Sequence, residues 1–171
     1  LLSLSRLEMR AHLAPTDQVD LAAVCRHVID ALRPMAGELG VEITLKTPQT
    51  PVTVTGDRDE LIQVMENLIE NACKYGQSGK RVDVDLVLED NGTVVVSVRD
   101  YGPGIERQHV PRLTERFYRV DVESSRAKKG TGLGLAIVKH ILTRHRARLV
   151  VKSEPGHGST FGVRFPGPNP G

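Results

Sequence analysis

Three groups of residues stand out for the chemistry that their types and spacing permit. In "ENLIENACKY" (66–75), Asn67, Asn71 and Lys74 recur at helical spacing. At about 100° per residue they fall within about 60° of one another. Leu61, Met65, Leu68, Ile69, Ala72 and Cys73 occupy the opposite arc. Two carboxamides and an ammonium on one line can offer an oxygen to a hard cation such as Mg²⁺ and positive charge to phosphate. The same residues also fit a solvent-facing stripe in which Glu70 and Lys74 form an i,i+4 pair worth roughly a few tenths of a kcal/mol. In "VRDYGPGI", Asp100 ends an apolar strand directly before Gly102-Pro103-Gly104. Its carboxylate can accept from the exocyclic amine of a purine, and the glycines leave room for a ring against backbone. Asp before a turn is also ordinary turn chemistry.

The third group is "KGTGLGLAIVKHI", with Gly130, Gly132 and Gly134 at alternate positions entering an apolar helix. Bare backbone at a helix N-terminus suits an anion such as phosphate, and it also suits a flexible loop capping a buried helix. There is no GxxxxGK[ST]. The glycines read GxGxG rather than GxGxxG and follow no strand, so neither the P-loop nor the dinucleotide fingerprint applies.

These groups need elements to position them. The apolar period predicts helices over Asp20 to Gly40, with an Asp cap, a Gly stop and a disturbance at Pro34, over Asp57 to Tyr75, and over Leu133 to His145. "VEITLK" and "VTVT" read as short strands. "RVDVDLVLED" and "TVVVSVRD" form a hairpin through Asn91-Gly92, and "RLVVKSE" and "STFGVRFP" a second through Pro155-Gly156. "VDVESSRAKKG" (120–130) is polar and lacks apolar anchors. Helices and antiparallel hairpins in separate blocks predict an α+β fold, a two-layer α/β sandwich in which three helices cover one face of a mixed, mostly antiparallel sheet.

A chain of 171 residues, 39% hydrophobic, supports one core. A net charge of +2 does not argue for nucleic acid. No acid lies between Glu123 and Glu154, where Arg126, Lys128, Lys129, Lys139, Arg144, Arg146, Arg148 and Lys152 make a field suited to a polyanion or a solvated face. Cys25 and Cys73 sit in apolar helical patterns without a CxxC pair, which suits a reducing cytoplasm. No apolar run nears the roughly 20 residues of a membrane span. The opening "LLSLSRLEMR" reads as the end of a helix that starts upstream.

In order, these motifs resemble the ATP-binding catalytic domain of bacterial sensor histidine kinases, within the ATPase family that includes gyrase, the ninety-kilodalton heat-shock chaperone and the mismatch-repair ATPases (the GHKL, or Bergerat, fold). "ENLIENACKY" resembles its Asn box, "DYGPGI" its first Gly box, "ERFYRVD" its Phe box, "GTGLGLAIVK" its second Gly box and "GHGSTF" its last Gly-rich motif. "RFYRVDVESSR" and "IVKHIL" look like the phosphate-regulon sensor type.

The resemblance implies ATP and Mg²⁺ as cofactors. Asn71 would coordinate the metal. Asn67 and Lys74 would contact metal-bound water or phosphates, and Tyr75 would line the nucleotide. Asp100 would read adenine, with Gly102, Gly104 and Ile105 around the base and Thr160 helping at that end. Arg119 would reach the γ-phosphate, while Gly130, Thr131, Gly132, Leu133, Gly134 and Leu135 would wrap the triphosphate. Residues 120–129 match the family's ATP lid. Asn67, Lys74 and Arg119 would be the catalytic set.

Relatives that hydrolyse ATP usually carry Glu where Asn67 stands, and an Asn cannot act as a general base, so transfer is favoured over hydrolysis. None of His12, His27, His109, His140, His145 or His157 is followed by an acid, so the acceptor histidine is expected outside this chain. The implied organisation is 1–13 as the end of a dimerisation helix and linker, 14–166 as the catalytic domain and 167–171 as a tail. The implied partners are that dimerisation domain, carrying the acceptor histidine, and a response-regulator receiver domain, with no nucleic acid and no membrane contact by this segment. The parent would be a homodimer anchored in the inner membrane, with this domain in the cytoplasm. Thr114 and Lys129 depart from the family pattern. A serine-kinase-like or ATP-hydrolysing relative of the same fold, and a degenerate nucleotide-binding scaffold, remain alternatives.

Overall fold

A computed structural model describes residues 14–113 and 134–167. Its elements are β1 (Asp17–Asp20), α1 (Leu21–Leu39), β2 (Glu42–Lys46), β3 (Thr53–Gly56), α2 (Arg58–Tyr75), β4 (Arg81–Leu88), β5 (Val94–Asp100), α3 (Gly134–Arg144), β6 (Arg148–Ser153) and β7 (Ser159–Phe165). The main sheet has strand order β2-β4-β5-β7-β6. Only β2 and β4 run parallel, so the sheet is mixed and mostly antiparallel as the sequence predicts. Val82, Val84 and Leu86 on β4 and Val94, Val96 and Val98 on β5 alternate inward to form one core with α1, α2 and α3.

The opposite sheet face is polar. Asp83 accepts hydrogen bonds from Thr44 (2.7 Å), Arg81 (2.7 Å) and the Tyr101 hydroxyl (2.6 Å). Partial burial pushes its carboxyl up, but these bonds outweigh it and hold the pKa at about 2. The Arg99 guanidinium lies 4.7 Å from the centre of the Tyr101 ring, so the first residue after β5 is pinned from outside while Asp100 points in.

Two features add to the sequence reading. The short strand β1 pairs with β3 in a separate two-stranded sheet, so "VTVT" does not join the main sheet. Helix α1 continues through Pro34. Pro34 and Asp30 lie on the exposed side, where the carbonyl that loses its donor can turn to water. The helix ends at Gly40, with φ of 72°.

The start of α2 is joined to the end of α3. Asp57 Oδ1 caps α2 by accepting from Glu60 N–H at 3.0 Å. In a capping box the third residue reaches back to the N–H of the cap. Here His145 Nε2 accepts that N–H at 3.0 Å, and Glu60 forms an ion pair with Arg144. Both side chains are buried, at 0% and 4% exposure. Arg144 therefore leaves the basic field that the sequence suggests, whereas Lys139, Arg146, Arg148 and Lys152 are exposed.

The Nδ1–H of His145 donates to the Ile141 carbonyl at 2.8 Å, which fixes a neutral imidazole between a donor and an acceptor. Burial pulls its pKa below the ordinary value, against the Ile141 bond and Glu60, which pull the other way. A histidine with a depressed folded pKa stabilises the fold fully above its unfolded pKa, about 6.5. That contribution is lost as pH falls below this value. The urea midpoint is expected to fall between about pH 7.5 and pH 5.5, and to fall less in His145→Gln, whose amide can both donate and accept without titrating. An equal fall in both proteins would assign the effect to other groups.

Candidate functional site

Helix α2 turns its apolar residues, from Leu61 to Cys73, into the core and leaves Asn67, Asn71 and Lys74 half-buried along its other side. Asn67 is committed within the protein. Its Oδ1 accepts from Gln63 at 3.2 Å, and its Nδ2 donates to the Gly134 carbonyl at 3.2 Å. This bond brings the Asn stripe to the start of α3. Lys74 pairs with Glu70 at 2.6 Å, the i,i+4 contact of the plainer reading. Asn71 makes no hydrogen bond among the described residues, so its carboxamide oxygen is available to a ligand.

No group of three or more His, Cys, Asp or Glu side chains able to hold a metal exists among the described residues. One free amide oxygen fits a Mg²⁺ ion whose other ligands come from water and phosphate, since this ion keeps much of its hydration. Both cysteines are buried, and burial pushes their thiols up, Cys25 to about 12 and Cys73 to about 11. Neither supplies a thiolate ligand near neutral pH.

Asp100 is the second wall, and its setting answers why so much backbone there is bare. A Cβ on Gly76 would stand 2.3 Å from Asp100 Cβ, and one on Gly102 would stand 2.6 Å from Gly76 Cα. One on Gly158 would stand 2.2 Å from the Asp100 carbonyl. The end of α2, the loop after β5 and the loop before β7 thus approach one another around Asp100 at glycines, with Gly76 against its side chain. Gly104 adopts φ of 78° and packs against the Glu154 carbonyl, and Gly156 N–H donates to the Pro103 carbonyl at 2.6 Å, locking the two loops together.

Asp100 is 6% exposed. Burial raises its pKa, and N–H donors from Gly102 and Ser159 oppose the rise. The Gly102 bond, 2.9 Å to Oδ1, is the turn contact of the simpler reading. It leaves acceptor capacity on the carboxylate, with no cation among the described residues to use it. A hollow of about 560 Å³ is lined by Lys74, Tyr75, Lys80, Pro103, Leu39 and Gly40, and Asp100 is not among its lining residues.

The register corrects one residue. Asp100 is opposite Ser159, whereas Thr160 is opposite Arg99 and Lys152. Side chains alternate along a strand, so Ser159, 5% exposed, shares the inner face with Asp100, and Thr160 stands on the other face. Sequence reasoning missed Ser159 and also Ser153, whose hydroxyl lies 2.8 Å from that of Ser159. Gly134 and Leu135 start α3, and a Cβ at Gly134 would only touch Asn67 at 3.8 Å. Arg119, Gly130, Thr131, Gly132 and Leu133 lie outside the described residues.

The chain is similar in sequence and in fold to known proteins. A family profile described as "Histidine kinase-, DNA gyrase B-, and HSP90-like ATPase" matches residues 56–169. The chain is 37% identical over 166 residues to the sensor-like histidine kinase SenX3 of Mycolicibacterium smegmatis, covering 97% of this chain and 43% of that protein. It is 47% identical over 114 residues to the phosphate regulon sensor protein PhoR of Pseudomonas aeruginosa, covering 67% of this chain and 26% of that protein. The chain thus spans less than half the length of these relatives.

Among solved structures, full-length ShkA in complex with AMPPNP superposes with a TM-score of 0.81 at 31% identity, over 95% of this chain and 33% of that one. The mycobacterial sensor histidine kinase MprB superposes with a TM-score of 0.76 at 30% identity, over 89% and 97%.

Proposed function

The chain belongs to the family of histidine kinase-, DNA gyrase B- and HSP90-like ATPases, and from that premise we propose that it holds Mg-ATP and presents the γ-phosphate to a histidine on a dimerisation domain outside it. The phosphoryl group then passes to an aspartate of a response regulator. The parent protein is a homodimeric sensor kinase anchored in the inner membrane, with this domain in the cytoplasm. The described helices include none long and apolar enough to cross a membrane.

The observation that carries the reading is Asp100, a buried carboxylate with unused acceptor capacity, set among Gly76, Gly102 and Gly158. Such a group matches the amino edge of adenine. Asn71 is the residue to hold Mg²⁺, which neutralises phosphate charge when bound. Lys74, released from Glu70, adds a cation near the phosphates, and Arg119 reaches the γ-phosphate. Asn67 supports transfer over hydrolysis, because an amide already bonded to Gln63 and Gly134 takes no proton from water. Catalysis then rests on positioning and charge, as phosphoryl transfer requires.

The test is ATP titration with Mg²⁺ and with EDTA. The wild-type chain is expected to bind more tightly with Mg²⁺, and Asn71→Ala to lose about tenfold of that gain, as removal of one good ligand contact does. An unchanged Mg²⁺ effect in Asn71→Ala would reject the metal assignment. Steady ATP turnover by the chain alone would favour a hydrolytic relative.

A further inference from the structure

Ser153, the last residue of β6, has one hydroxyl with three partners. It accepts from Ile105 N–H at 2.7 Å, and it lies 3.0 Å from the Gly158 carbonyl and 2.8 Å from the Ser159 hydroxyl. It is half-buried, and its register partner on β7 is Ser159. These contacts join the loop after β5 to the loop before β7 at the point where both meet Asp100.

A hydroxyl carries a single proton. The Gly158 carbonyl can only accept, so it takes the Ser153 proton. The Ser159 hydroxyl must then donate to Ser153, and its lone pairs are what it has left to offer. Ser159 sits opposite Asp100 on the inner face of the sheet. Two acceptors, a carboxylate and a hydroxyl oxygen, therefore stand side by side with no hydroxyl proton free between them.

We propose that Ser153 is a positioning residue that fixes the Ser159 hydroxyl as an acceptor, so that the Asp100–Ser159 pair admits a purine with an amino group at C6 and rejects one with a carbonyl there. This rests on the nucleotide reading above and adds how the base is chosen. An amine presents two N–H donors to two acceptors. A 6-oxo group presents lone pairs to lone pairs, and such a site discriminates through the groups it would leave unpaired. Without Ser153, the Ser159 hydroxyl turns freely and can donate to the oxo group.

The test compares ATP with inosine triphosphate, the 6-oxo analogue, by equilibrium titration of the whole chain with Mg²⁺. The wild type is expected to prefer ATP. Ser153→Ala is expected to narrow that preference about tenfold, the worth of one hydrogen bond, with a smaller change in ATP affinity itself. Ser153→Thr keeps the hydroxyl on a strand residue and is expected to restore the preference. Equal weakening for both nucleotides in Ser153→Ala would mean that Ser153 only braces the loops, and would overturn the proposal.

If Ser153→Ala does not fold, Ser159→Ala gives the same readout with the Ile105 and Gly158 bonds intact, and an unchanged preference there also overturns it. A wild-type chain that binds neither nucleotide would instead remove the nucleotide reading itself.

Discussion

Replacing Arg144 by alanine is expected to destabilise the fold by about 3–5 kcal/mol, because it leaves the Glu60 carboxylate buried without its guanidinium. Glu60 is fully buried and Arg144 nearly so, and they join the first turn of α2 to the last turn of α3. Urea denaturation measures the loss. The double variant Glu60→Leu/Arg144→Met removes both charges and keeps side-chain volume, so it is expected to recover most of the loss. A single variant that costs less than about 1 kcal/mol, the range of an exposed pair, would show that water reaches the pair.

Asp100→Asn is expected to weaken Mg-ATP binding on the order of a hundredfold, since an amide N–H₂ then faces a donor in a site built to accept. Asparagine keeps the side chain's size among Gly76, Gly102 and Gly158 and can still accept the Gly102 N–H at Oδ1. Titration of ATP reads the affinity, and circular dichroism shows that the variant is folded. Full affinity in a folded Asp100→Asn protein would mean that this carboxylate does not meet the base.

The helices and both hairpins of the main sheet were legible because their information is local. Asp57 caps α2, Gly40 stops α1, and Val alternates through β4 and β5. The Asn stripe was legible for the same reason, as its geometry follows from one helix. What escaped depends on partners distant in sequence. Strand β1 has one buried residue, Val19, and exists through pairing with β3.

Glu60 read as an acid at a helix start and Arg144 as part of a basic run, since only the packing of α2 on α3 makes them a pair. The choice between Ser159 and Thr160 turned on register. Adjacent residues of a strand face opposite ways, and which one joins Asp100 is decided by the alignment of β5 with β7. Ser153 carried no local signal, because a serine ending a strand is unremarkable until its neighbours are in place.

Among the described residues, helix α3 is joined to the fold by different contacts at its two ends. At its far end the Glu60–Arg144 clasp, His145 and the buried Ile141 and Leu142 tie it to the core. At its near end Gly134 and Leu135 are half-buried, and among the described residues a hydrogen bond from the Asn67 side chain reaches the first carbonyl. The Asn67 amide, on the same stripe as Asn71, therefore couples the glycine end of α3 to the face of α2 proposed to meet the metal.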